Sequence, residues 1–244
     1  MRVELEKKQR DNTIYMSTAI LFTGKIYPEH LNKCIECSKH TTALKFASIW
    51  NNEDTIYIQQ LMDNGFIIIR NDTNQQETSK PQFIPIVNGL QYIKEHHSNI
   101  EFVLRTRFDI LSFDFDRYLE HTQHLYKEKI TVISGIFTNI IYFLDIIVCG
   151  SIDKMIKLYG LQPTNDTRQP ETFLLENYIN KKYLTNLETA IEIKNNLHFS
   201  LDICIKHNIE FIWIRPNSWK LHTLNIPFMK VINEYCKDTC MWTY

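Results

Sequence analysis

Residues 102–110, Phe-Val-Leu-Arg-Thr-Arg-Phe-Asp-Ile (FVLRTRFDI), begin as a buried β-strand and end in charge. In an extended chain successive side chains point to opposite faces, so Arg105, Arg107 and Asp109 share one face. Leu104, Thr106 and Phe108 share the other. Charged side chains are rarely buried unless they are paired or at work. A central strand that closes on two arginines and an aspartate therefore has either a built-in ion pair or a ligand at its end.

The surrounding chain supplies the sheet. STAILFTG (17–24) is a short apolar strand ending in Thr-Gly. The segment 34–47 reads as helix, and FASIWNNED (46–54) as a strand running into polar residues. TIYIQQLMDNG (55–65) has helical apolar spacing, and Asn64-Gly65 is a stop signal. FIIIRND (66–72) is an unbroken β-branched run of the kind found in strands covered on both faces. After a polar loop at 73–82, residues 83–97 place Phe83, Ile86, Val87, Leu90 and Ile93 on one helical face. The charged strand, 101–111, follows. Strands alternating with helices specify an α/β fold, with a mostly parallel sheet and helices on both sides.

The second half is less regular. KITVISGIF (129–137) and NIIYFLDIIVCG (139–150) read as strands, with antiparallel pairing one option, and SIDKMIKLYGL as a helix. QPETFLLENYINKKY (169–183) is a helix with Pro170 in its first turn, and IEFIWIRP (209–216) is a last strand. We expect a single domain over 1–244, with a polar segment at 1–16 and an irregular, aromatic tail at 217–244.

In parallel α/β sheets, ligands bind beyond the carboxyl ends of the strands, where the strand order switches direction. Charge at the end of 101–111 lies at that edge. Arginine presents a rigid cationic fork that matches phosphate oxygens, and aspartate is a hard oxygen donor for Mg²⁺ or Mn²⁺. A diphosphate-plus-metal site and a local ion pair both account for the row. Asp114-Phe-Asp116 follows closely; Asp116 suits a helix cap, and Asp114 is open to either role.

Composition narrows the classes. The 244 residues are 44% hydrophobic and 23% charged, with a net charge of −1, which gives no electrostatic footprint for nucleic acid. The charged N-terminus lacks the apolar stretch of a secretory signal. The most apolar run, 139–150, is too short to cross a bilayer and contains Asp145. A soluble, cytoplasmic protein is expected, with peripheral membrane contact left open. Among the six cysteines, Cys34, Cys37 and His40 resemble half a zinc site, and Cys236 and Cys240 lie far along the chain. Reduced structural thiols are the expected reading. A Walker-type glycine-rich phosphate loop is absent from the sequence.

The Thr-Gly ending of the first strand, FIIIRND, a helix containing Gln and Asn, VLRTRFDI, YFLDIIVCG with its following helix, and PETFLLENYI occur in that order over roughly 17–183. Together they resemble the WavE-type lipopolysaccharide-synthesis proteins and related bacterial and giant-virus glycosyltransferases of the GT-A fold. The resemblance implies transfer of a sugar from a nucleotide-diphosphate donor to an oligosaccharide or glycolipid acceptor, aided by Mn²⁺ or Mg²⁺. It implies that Asp109 takes the metal role of the family's Asp-x-Asp, with Arg107 where the first acid would stand. It further implies that Arg105 and Arg107 face the diphosphate, and that Thr23, Gly24 and Arg70 lie near the base and ribose.

Such a transfer leaves negative charge on the diphosphate and positive character on the sugar, and needs a carboxylate base if it inverts. Glu171, in PETF at a helix start, is the first candidate base. Asp145 is the second, or else holds sugar hydroxyls. Acidic residues also favour first helical turns for dipole reasons, whereas an unpaired carboxylate in an apolar strand is costly. Two rivals stand beside this reading. One is a metal-dependent nuclease using Glu192 and Lys194 of AIEIKNN with Asp109 or Asp145. The other is a non-catalytic sugar- or nucleotide-binding domain.

Overall fold

The computed structural model describes residues 17–73, 81–109, 113–122, 130–137, 140–160, 174, 209–213 and 230–231. Four βα units come first: β1 (Thr18–Thr23), α1 (Pro28–Cys37), β2 (Leu44–Trp50), α2 (Thr55–Asp63), β3 (Phe66–Asn71), α3 (Phe83–His96), β4 (Phe102–Arg107) and α4 (Phe115–Thr122). β5 (Ile130–Phe137), β6 (Ile140–Ser151), α5 (Ile152–Gly160), β7 (Ile209–Trp213) and β8 (Lys230–Val231) follow.

All eight strands join one sheet in the order β3-β2-β1-β4-β6-β5-β7-β8. β6 pairs antiparallel with both β4 and β5, and every other neighbouring pair is parallel. Successive strands step outward from β1 to β3, and the chain then returns to place β4 on β1's other side. The direction of strand order therefore reverses between β1 and β4. This is where open α/β sheets form a crevice.

Two apolar layers cover the sheet. On one face Ala19, Leu21, Phe46, Val103 and Val148 pack beneath α3 and α5, which contribute Ile86, Leu90, Met155 and Tyr159. On the other, Ile20, Phe22, Ala47, Leu104 and Cys149 meet α1, α2 and α4 through Leu31, Cys34, Leu61 and Tyr118. Each large apolar side chain removed from water contributes about 1.5–3 kcal/mol. β1 and β4 are covered from both sides, so both faces of each are apolar until the strand ends, where β4 turns to Arg105-Thr106-Arg107. A mostly parallel α/β sheet with helices on both faces is the architecture the sequence predicts, and the chain has it.

Local signals place the helix ends. Asp54 caps α2 by accepting a 2.8 Å bond from the Ile56 amide. Gly65 just beyond it has φ +79°, a left-handed conformation that costs other residues about 1–2 kcal/mol. α1 opens at Pro28, whose missing amide hydrogen is no loss in a first turn. Gly89 lets α3 lie directly on β1 and β2, since a Cβ there would meet Leu21 Cδ1 at 2.8 Å and Ser48 Cβ at 3.1 Å.

Several expectations need correction. The segment 34–47 is not a helix: α1 ends at Cys37 and β2 begins at Leu44. The charged strand ends at Arg107, and Phe108 and Asp109 form a turn. FIIIRND lies at the sheet edge, so Ile67 and Ile68 are each half-covered, one against each apolar layer. Asp116 is inside the first turn of α4, and Asp114, whose carbonyl accepts from the Tyr118 amide, precedes it. The tail 217–244 contains β8, which extends the sheet beyond β7. The predicted helix 169–183 lies outside the described residues except for buried Leu174.

Candidate functional site at the switch point

β1 and β4 run side by side with Thr23 level with Arg107 and Leu21 level with Arg105. Their carboxyl ends bring the Thr23-Gly24 turn against the end of the charged strand. Thr23 is 1% exposed and Arg105 is 2% exposed, so these two belong to the interior just below the rim. Arg105 Nε donates to Thr23 Oγ1 at 2.9 Å, and Thr23 Oγ1 donates to the Thr106 carbonyl at 3.3 Å. The Arg105 guanidinium also sits 6.0 Å from the centre of the Tyr159 ring of α5, within range of a cation–π attraction. Thus one arginine of the row ties β4, β1 and α5 together.

The other two charges remain at the surface. Arg107 and Asp109 have side-chain exposures of 42% and 22%. Arg107 Nε donates to Asp109 Oδ1 at 3.0 Å, and Arg107 Nη2 to Asp109 Oδ2. This is a fork-on-carboxylate pair using both carboxylate oxygens. The turn after β4 is held by Phe108, which is 1% exposed and packs against Phe22. Burial of Phe108 on the opposite face leaves Asp109 to fold back over Arg107.

Gly24 has φ +98°, and a Cβ built on it meets nothing within 4 Å. Glycine is required there by backbone conformation, with open space beside it. Lys25 and Ile26 continue the loop, and Glu53 Oε1 in the loop after β2 accepts from the Ile26 amide at 3.3 Å. Partial burial pushes the Glu53 carboxyl above its ordinary value, opposed by that bond and by Lys25.

Arg70 is separated from these groups. It is exposed on the outermost strand β3, level with Ile49 and thus on the sheet face opposite Thr23. Its neighbour Asn71 turns inward instead. Asn71 is 1% exposed, donates to Ser48 Oγ at 3.0 Å and the Ile49 carbonyl at 2.8 Å, and accepts from Asn88 Nδ2 at 2.9 Å. This polar cluster ties the ends of β2 and β3 to α3. Sequence reading missed it and Glu53, although polar residues at two strand ends and Asn88 on an apolar helix were their visible signals.

Asp145 lies in β6, whose pairing with β4 ends at Arg105↔Val148. Because β6 is antiparallel, its segment before Val148 extends past the carboxyl end of β4. The β5–β6 register shifts there, from Val132↔Val148 to Ser134↔Phe143. An irregularity of this kind bends a strand next to a site. Glu171, Glu192 and Lys194 lie outside the described residues.

The expected divalent ion can be tested against the donor set. The carboxylate of Asp109 has both oxygens engaged by Arg107, and no group of three or more His, Cys, Asp or Glu able to hold a metal ion occurs among the described residues. As arranged, Asp109 does not fit a metal ligand. Cys34 and Cys149 are buried and Cys37 half-buried, and none of the three is in a disulfide. Burial, chiefly, raises the Cys34 thiol well above its ordinary value, with Cys37 and Asp109 adding to the effect and Lys45 opposing it. Among the described residues no helix is long and apolar enough to cross a membrane.

No protein-family model matches the chain, and no curated protein matches it. Among solved structures, the chain is similar to a 4-diphosphocytidyl-2C-methyl-D-erythritol synthase from Anaerococcus prevotii. The TM-score is 0.45 at 12% identity, covering 75% of this chain and 97% of that one.

Proposed function

We propose that the chain is a glycosyltransferase that moves a sugar from a nucleotide-diphosphate donor to an oligosaccharide or glycolipid acceptor. The observation that carries this reading is the place of the charge: the strand-order reversal between β1 and β4 bears Gly24 with open space beside it and the partly exposed Arg107 and Asp109. Sheets of this kind bind ligands at that crevice, and a guanidinium fork suits the oxygens of a diphosphate. The resemblance of VLRTRFDI and its flanking motifs to glycosyltransferases points the same way.

In the reaction, the acceptor hydroxyl oxygen bonds to the anomeric carbon. The bond from that carbon to the donor oxygen breaks, and its electron pair leaves on the diphosphate. The acceptor proton goes to a carboxylate if the transfer inverts, with Glu171 first and Asp145 second in that role. Positive charge fixed at the crevice before the bond breaks stabilises the departing group without reorganisation.

The test is a thermal-shift screen of nucleotide sugars, followed by assay of slow donor hydrolysis. A ligand that binds only the native state must raise its melting temperature. Donor-dependent stabilisation together with release of free sugar is expected. No stabilisation by any donor would remove the proposal. Binding without hydrolysis or transfer would instead favour the non-catalytic domain, a reading that has the mutual neutralisation of Arg107 and Asp109 in its favour.

A further inference from the structure

We propose that Arg107, rather than a divalent ion, supplies the cation for the donor diphosphate, and that Asp109 holds its guanidinium in place until the diphosphate arrives. The inference rests on the nucleotide-sugar reading above and concerns the same crevice. Its basis is the geometry of the pair. Both Asp109 oxygens face Arg107 nitrogens, so a metal at Asp109 would have only the outward lone pairs left to it, beside a permanent cation that repels it. A diphosphate makes an easier exchange, because it offers the guanidinium another planar pair of anionic oxygens and more negative charge.

Exposure favours that exchange. Arg107 is 42% exposed, so the pair is screened by water and weakly held. The leaving group can therefore take the guanidinium at small cost. The turn beneath it is anchored by Phe108, which is buried in the apolar layer. Arg105 plays a different part: tied to Thr23 and lying by Tyr159, it fixes the two strand ends that carry the pair. Asp109 is a placeholder in this scheme: it occupies the guanidinium before the diphosphate binds and gives it up when its partner turns to the ligand.

The experiment measures binding of uridine, guanosine, cytidine and thymidine diphosphates to the full chain by thermal shift and titration. Each is measured in EDTA and again with Mn²⁺ or Mg²⁺. The expected result is stabilisation by at least one of them in EDTA, with no gain on adding the ion. Arg107→Gln should weaken that binding by about tenfold or more, as loss of a charge-assisted hydrogen bond does. Arg107→Lys should fall in between, and its unliganded melt guards against misfolding of the glutamine variant. Asp109→Asn should bind the same nucleotide about two- to fivefold more tightly, because no carboxylate then competes for the guanidinium. Binding that appears only with the ion, or that is lost in Asp109→Asn, would overturn this inference and restore Asp109 as a metal ligand while leaving the donor reading intact. No binding of any nucleotide diphosphate, with or without ion, would overturn both.

Discussion

Arg105 reaches across from β4 to Thr23 on β1 and donates its Nε hydrogen to the threonine oxygen at 2.9 Å, with both residues sealed from water. The strand pair on either side of the strand-order reversal is thus locked by a side-chain bond as well as by its backbone ladder. A buried donor is costly to leave unmet, so the Thr23 oxygen matters to the Nε hydrogen it accepts.

Replacing Thr23 with Val removes the oxygen that accepts from Arg105 and donates to the Thr106 carbonyl. We expect a loss of about 1–3 kcal/mol, the cost of a buried polar group losing its partner. Thr23→Ser keeps the oxygen and should lose less. Urea denaturation of the three proteins measures the difference.

Gly24→Ala and Gly89→Ala should destabilise for different reasons. At Gly24 the new methyl meets nothing, and the cost is the φ of +98°, about 1–2 kcal/mol. At Gly89 the methyl would press on Leu21 and Ser48, an overpacking that costs about 1–3 kcal/mol and is offset in part by alanine's better helix propensity. Gly24→Ser should therefore resemble Gly24→Ala, whereas larger residues at 89 should become progressively worse. Denaturant midpoints separate the two patterns.

Glu53 gives a pH dependence whose sign follows from its raised carboxyl. Between the unfolded and folded values the native state binds the extra proton, so its contribution is fully present in acid and is lost as pH rises through the folded value. Glu53→Gln keeps an acceptor for the Ile26 amide but cannot ionise. The variant should gain stability relative to the parent as pH rises from about 4 toward neutrality, then run parallel to it. Stability curves at several pH values test this; a variant that loses stability relative to the parent as pH rises would refute it.

The base can be assigned by kinetics. Glu171→Gln should lower turnover by about a hundredfold or more with little change in donor affinity, the loss expected for a general base. Asp145→Asn should chiefly weaken substrate binding if it holds sugar hydroxyls. If Asp145→Asn alone abolishes turnover, the two roles exchange.

Much of the frame was legible because its causes are local. The apolar spacing of Phe83, Ile86, Leu90 and Ile93 makes a helix with one buried face wherever it packs. Asp54 and Gly65 mark the ends of α2 through bonds and dihedrals within a few residues. The misread segment 34–47 shows the limit. Its apolar residues serve the end of one helix and the start of a strand, and only pairing of Lys45 with Ile20 and Phe66 decides the second. Arg70 and Asn71 are adjacent in sequence, yet one faces solvent at the sheet edge and the other anchors a buried bond network.

The sequence by itself determined that strands alternate with helices and that charge collects where one strand ends, since hydrophobic period and side-chain alternation are carried by neighbouring residues. Only the tertiary structure decided that β4 returns beside β1, that Arg105 is sealed below the strand-order reversal, and that Arg107 is engaged by Asp109. Strand order, burial and ion pairing depend on residues distant along the chain, and their energies are set by what the completed sheet and its helices leave exposed to water.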